Sequence, residues 1–326
     1  MDTNIFEDLH KRGFVSEASL EKVKAYESGR LFSVHWELRT LLYLGVVLLT
    51  GGLGVLVYKN IDSIGHTVII SFIALVSAAC FYYCTKAKLP FSVERVAAPN
   101  PFFDYIILLG CLAFVSFIGY LQFRYHAFGE RFGLASFLPM AVLLFSAYYY
   151  DHLGLLSLGI TALCAWAGIA VTPDRILADN DFNSASLIIT GLLLGAGLLA
   201  LAQVTRHRQL KTHFAFTYTN FGMHLLFISA LAGMFHFDSW FAAWFLLVLA
   251  IAYYFYRLSL TEKSFYILLV LTLYGYIGLS YLVIRTLFFV LNTDIGGFYL
   301  LLMYFIGTAV GLILFLINQN KKIRQL

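Results

Sequence analysis

The chain has 326 residues, 60% of them hydrophobic and 12% charged, with a net charge of +4 at neutral pH. Soluble domains carry roughly 25% charged residues, so a water-exposed globular surface is excluded and the surplus apolar surface must face a lipid bilayer. No basic run is dense enough to make nucleic acid a partner.

Residues 1–36 come first and read as two short amphipathic helices. Ile5, Phe6 and Leu9 form one apolar face, Gly13 suits a helix C-cap, and Ser16 suits the N-cap of the next helix, on which Leu20, Val23 and Tyr26 recur at helical spacing. A hairpin this small cannot bury a core of its own. It is expected to rest on the bilayer, on the spans or on a cytoplasmic protein partner. Leu31, Phe32 and Trp36 then lead toward the interface. Asp2, Glu7, Lys11 and Arg12 stand where an apolar signal region would be needed, so the first span is expected to act as a signal anchor.

A spanning helix takes about 20 mostly apolar residues. That ruler predicts an all-α, polytopic bundle of about ten spans over 37–318. The spans run 38–58, 64–84, 102–122, 133–150, 153–171, 185–204, 214–235, 239–257, 265–285 and 297–318, with a basic tail over 319–326. Lys59-Asn60-Ile61-Asp62 divides the first pair, and Pro90, Pro99 and Pro101 mark the longest loop. Thr172-Pro173-Asp174 closes the fifth span. Only Asp151-His152 separates the fourth and fifth, and Pro139 is expected to kink the fourth. Most of the 22 lysines and arginines fall in the termini and the even-numbered loops. Positive charge accumulates on the cytoplasmic side, so both termini are expected in the cytoplasm. Removing the fourth or the fifth span would erase that asymmetry. Tyr82 and Tyr83, Tyr148 to Tyr150, and Tyr253, Tyr254 and Tyr256 then fall at cytoplasmic ends, with Trp240 and Trp244 at an outer end, as interfacial rings prefer.

Several polar positions within this oily frame are candidates for chemistry. In span seven, His213, Thr217, Asn220 and His224 fall at i, i+4, i+7 and i+11, on one helix face. An imidazole at that depth is costly unless it meets a partner or a wet cavity; the competing reading is structural hydrogen bonding to a neighbouring helix. In span nine, Tyr274, Gly278, Tyr281 and Arg285 form a second stripe. There Tyr274, Tyr281 and Arg285 would line an outer vestibule able to face an anion, unless Arg285 simply snorkels to headgroups. His236 and Asp238, with Asp174, Asp179 and Asp181, gather near the outer surface and could meet a divalent cation or simply be solvated.

Gly191-xxx-Gly195 and Gly307-xxx-Gly311 permit close helix approach, and Gly52-Leu53-Gly54 and Gly195-Ala196-Gly197 are loosely alike without matching loop lengths after them. Cys80, Cys84, Cys111 and Cys164 read as buried thiols. No metal, nucleotide or nucleophile motif is present in the sequence, so no metal ligands, cofactor or catalytic residues are expected.

The segment "LHKRGFVSEASLEKV" followed by "LLYLGVVLLTGGLGVLVYKNIDSIG" resembles a family of bacterial predicted membrane proteins, domain of unknown function 2157. Gly13, Val15 and Ser16 match its leader, and Gly45, Gly51, Gly52, Gly54 and Asn60 match its glycine-rich span; Ile61 stands where a tryptophan is often found. The resemblance covers about residues 5–85, the N-terminal quarter to third. It implies a bacterial inner-membrane location and brings no activity with it. Three functions are therefore expected in turn: small-solute or lipid transport or binding through the bundle, an envelope scaffold or sensor that engages a cytoplasmic partner through residues 1–36, and a membrane-embedded lipid-modifying enzyme.

Overall fold

The structure, a computed structural model, describes residues 9–10, 12–17, 19–22, 35–59, 65–129, 132–171, 184–290 and 295–325. Two compact units divide the chain, Met1–Gly65 and His66–Leu326.

In the first unit, Gly13 adopts φ +79° and lets the chain turn. Its N–H donates to the carbonyl of His10, and the next N–H, of Phe14, to that of Leu9. Ser16 Oγ then accepts from the N–H of Ser19 at 3.3 Å, the side-chain bond of an N-cap. Leu20 is buried and Phe14 is 78% exposed. The readings placed on Ile5, Phe6, Val23, Tyr26, Leu31 and Phe32 fall outside the described residues. Helix α1 runs His35–Lys59 and contains the apolar segment Thr40–Gly52.

The second unit is built from α2 (His66–Ala87), α3 (Phe103–Tyr125), α4 (Gly133–Tyr150), α5 (Leu153–Val171), α6 (Ala185–His207), α7 (Phe214–His236), α8 (Phe241–Thr261), α9 (Phe265–Arg285) and α10 (Ile295–Gln325). Each of the ten expected spans thus coincides with a helix. Among the described residues, the nine in this unit are long and apolar enough to cross a bilayer. The protein is a polytopic helical membrane bundle.

Breakers act where the sequence puts them. Asp151 takes a left-handed conformation (φ +57°) and stops α4, a state that Asp tolerates better than most residues. His152 Nδ1 accepts from the N–H of Leu155 at 3.0 Å and so caps α5. Pro139 lies inside α4, which continues through it. Ser184 and Ser264 cap α6 and α9, accepting from the N–H groups of Leu187 and Ile267.

Sequential neighbours pack together, α2 on α3, α4 on α5, α6 on α7 and α8 on α9. Helix α7 is the centre: it touches α5, α6, α8 and α9, and 56% of its apolar window is buried, the largest share of any span. Its sequence explains this. Small residues (Ala215, Gly222, Ala230, Gly233) admit neighbouring helices, while Met223, Phe227 and Met234 fill the space between. They pack with Val248, Ile251 and Phe255 of α8 and Ile267, Leu268 and Leu271 of α9. By contrast, none of the apolar window of α10 is buried. It leans on α9 through Tyr276–Thr308 (3.0 Å) and Ser280–Tyr304 (3.1 Å).

Candidate functional site

The expected four-residue stripe on α7 is divided in space. Asn220 and His224, one turn apart, meet Tyr266 and Tyr274 of α9. His224 Nδ1 lies 2.9 Å from the Tyr274 hydroxyl and His224 Nε2 lies 3.3 Å from that of Tyr266, which donates to Asn220 Oδ1 at 2.8 Å. With the imidazole neutral, one proton arrangement satisfies all three bonds. If the Tyr266 hydroxyl is spent on Asn220, its oxygen must accept from His224 Nε2–H, which leaves Nδ1 to accept from Tyr274. The imidazole is held at both nitrogens. Phe227 stacks on the Tyr274 ring (5.0 Å between centroids, 8° between planes) and fixes that end of the relay. The other end, at Tyr266, is exposed.

Thr217 is half-buried on α7. His213, immediately before α7, turns to another group altogether, with Nε2 2.6 Å from Asp151 Oδ1.

The α9 stripe is divided as well. Tyr274 belongs with His224, whereas Tyr281 and Arg285 form a separate cluster. Arg285 donates to Asp238 Oδ1 at 2.6 Å, to the Asp238 carbonyl at 3.0 Å and to the Tyr281 hydroxyl at 2.9 Å. Its guanidinium also lies 4.5 Å from the Phe241 ring. The anion it faces is thus a carboxylate of the same chain, at the corner joining α7 to α8. Asp238 is committed to this pair, and Asp174, Asp179 and Asp181 lie outside the described residues. Among the described residues no three His, Cys, Asp or Glu side chains gather as metal ligands.

Sequence reasoning missed the most buried charged group. The Nζ of Lys211, in the α6–α7 connection, lies 2.9 Å from Asp151 Oδ2; the two side chains are 1% and 3% exposed. Lys211 Nζ also donates to the Glu94 carbonyl at 3.1 Å and lies 4.9 Å from the Phe91 ring. Its backbone N–H donates to the Val93 carbonyl at 2.8 Å. The Val96 N–H donates to Asp151 Oδ2. One carboxylate therefore joins three connections, α2–α3, α4–α5 and α6–α7. Burial pushes its pKa up, but the Val96 N–H, Lys211 and His213 outweigh this and hold Asp151 below the ordinary carboxylate value. The adjoining cavity, about 20 Å³, has room for a single water. This is a structural knot rather than a substrate pocket. Asp151 and Lys211 each look like ordinary loop residues in sequence, which is why no motif exposed them.

No curated protein and no solved structure matches this chain. A family model described as "Predicted membrane protein (DUF2157)" matches residues 7–156. The match reaches well beyond the 5–85 legible by resemblance, through α1 to α4 and into the first turn of α5. Over residues 7–156, a little under half of its length, this chain is therefore similar to the DUF2157 family of predicted membrane proteins.

Proposed function

We propose that this is a multi-pass protein of the cell inner membrane that binds or moves a small solute or lipid, with the α7–α9 polar face as its path. The observation that carries the reading is the titratable imidazole of His224, held between two tyrosine hydroxyls in the middle of the most buried span. Such groups within spans serve ion and solute paths. A relay running Tyr274, His224 and Tyr266 can pass a proton by successive hydrogen-bond exchange, with Asn220 Oδ1 orienting the Tyr266 hydroxyl as its acceptor.

The test is uptake by proteoliposomes carrying a pH-sensitive dye, driven by an imposed potassium diffusion potential. His224→Ala is expected to lower the uptake rate by about a hundredfold, the scale of a positioned proton-transfer group, and Asn220→Ala to lower it too, while melting temperature holds. Uptake that survives in both variants, or a loss matched by equal loss of fold, favours structural hydrogen bonding instead.

The distribution of Lys and Arg supports cytoplasmic termini. Reporter fusions at residue 1 and residue 326 are expected to report the same side, and opposite sides would overturn the orientation. The N-terminal turn supports a second reading, a scaffold or sensor, because Phe14 stands 78% exposed beside the Gly13 turn. Deleting residues 1–30 should then release a specific cytoplasmic partner while the bundle stays folded.

A further inference from the structure

A crevice of about 440 Å³ opens between α5, α6 and α7, within the size range of ligand pockets. Its walls include Cys164 and Gly168 of α5, Leu187 and Gly191 of α6, and Leu225 and Ala232 of α7. These are the closing half of α5 and α7 and the opening half of α6, so the crevice lies toward one end of the bundle. Ala165 and Ile228, on its rim, are exposed.

Two properties bear on what fills it. All three walls belong to spanning helices, so the mouth opens onto acyl tails, where an apolar hollow takes up hydrocarbon rather than water. Ser229 also lines the crevice and is 7% exposed, yet its hydroxyl has no hydrogen-bond partner among the described residues. Several serines and threonines in these helices donate to the carbonyl one turn back, as Thr190 does to Ser186 at 2.7 Å. Ser229 Oγ lies instead against α6, in the space that a Cβ at Gly191 would take. A hydroxyl that meets hydrocarbon without a partner is costly.

We infer that this crevice binds one acyl chain of a membrane lipid, with the Ser229 hydroxyl donating to an oxygen at the head of that chain, such as its ester carbonyl. The site stands apart from the α7–α9 relay and does not depend on it. The test uses the full chain in vesicles doped with phosphatidylethanolamine bearing a photoreactive diazirine on one acyl chain, with adducts mapped by peptide mass spectrometry. Saturable adducts are expected on residues 164–169, 187–194 and 225–232. Ala232→Phe and Ala165→Phe, which fill the crevice, should each lower them by about tenfold, on the scale of an overpacked site. Ser229→Ala, which alters shape least, should weaken saturation while melting temperature stays unchanged. Adducts spread over all lipid-facing helices and indifferent to the three substitutions would overturn the proposal, as would selective retention of an isoprenoid quinone in place of the lipid. Should one filling variant fail to fold, the other and Ser229→Ala decide the matter.

Discussion

Asp151→Ala is expected to destabilise the protein by about 3–5 kcal/mol, the cost of stranding a buried partner charge. Lys211 Nζ would keep only the Glu94 carbonyl and the face of Phe91, and its side chain, 1% exposed, cannot turn to water. The Val96 N–H and His213 Nε2 would lose their acceptor in the same step. Lys211→Met should cost less, because the carboxylate left behind keeps two donors. The double substitution Asp151→Ala with Lys211→Met should recover part of the single-site loss, since apolar replacement of a buried pair is often close to neutral. Denaturant unfolding of purified protein in detergent measures all three. If the double variant is as unstable as the sum of the two singles, Lys211 and Asp151 do not act as a pair.

The pH dependence follows from the same bonds. Asp151 is held below its ordinary value of 3.8 in the folded protein, so its contribution is fully present above that value and fades as pH falls through the lower folded value. Wild type should therefore lose stability steeply below about pH 4, and Asp151→Ala should lack that component of the acid transition.

How much of this was legible in sequence depends on the range of each interaction. Spans four and five were read as 133–150 and 153–171, and α4 and α5 end on those same residues. Length and apolarity act segment by segment, so a bilayer span needs no knowledge of its neighbours. The helical period also placed Asn220 and His224 on one face. It could not name their partners, because Tyr274 shares a stripe with Tyr281 and Arg285 while differing from them in depth. Depth decided the outcome: Tyr274 joins His224, and Arg285 joins Asp238. The Asp151–Lys211 knot had no local signature at all. Its members lie in two loops about 60 residues apart, and their meeting depends on how α4 to α7 pack.

Gly195→Leu is expected to cost about 1–3 kcal/mol or more, the range for forcing volume into packed helices, whereas Gly311→Leu should leave stability within about 0.5 kcal/mol of wild type. In sequence the two glycine pairs are alike. In the structure a Cβ at Gly195 would come within 2.8 Å of Leu226 and 3.1 Å of the Gly222 carbonyl, and one at Gly222 within 3.0 Å of the Gly195 carbonyl. Two backbones face each other there, so a side chain can be accommodated only by moving α6 off α7. A Cβ at Gly307 or Gly311 would meet nothing within 4 Å among the described residues. Lipid tails are as apolar as leucine, so association between spans depends on close van der Waals contact rather than on escape from water. Separating α6 from α7 by one side chain forfeits that contact along the bundle's central helix. Thermal unfolding of both variants in the same detergent reads the contrast. Equal destabilisation would mean that α10 has a close neighbour at Gly311, and equal tolerance would mean that α6 and α7 are not held by backbone proximity.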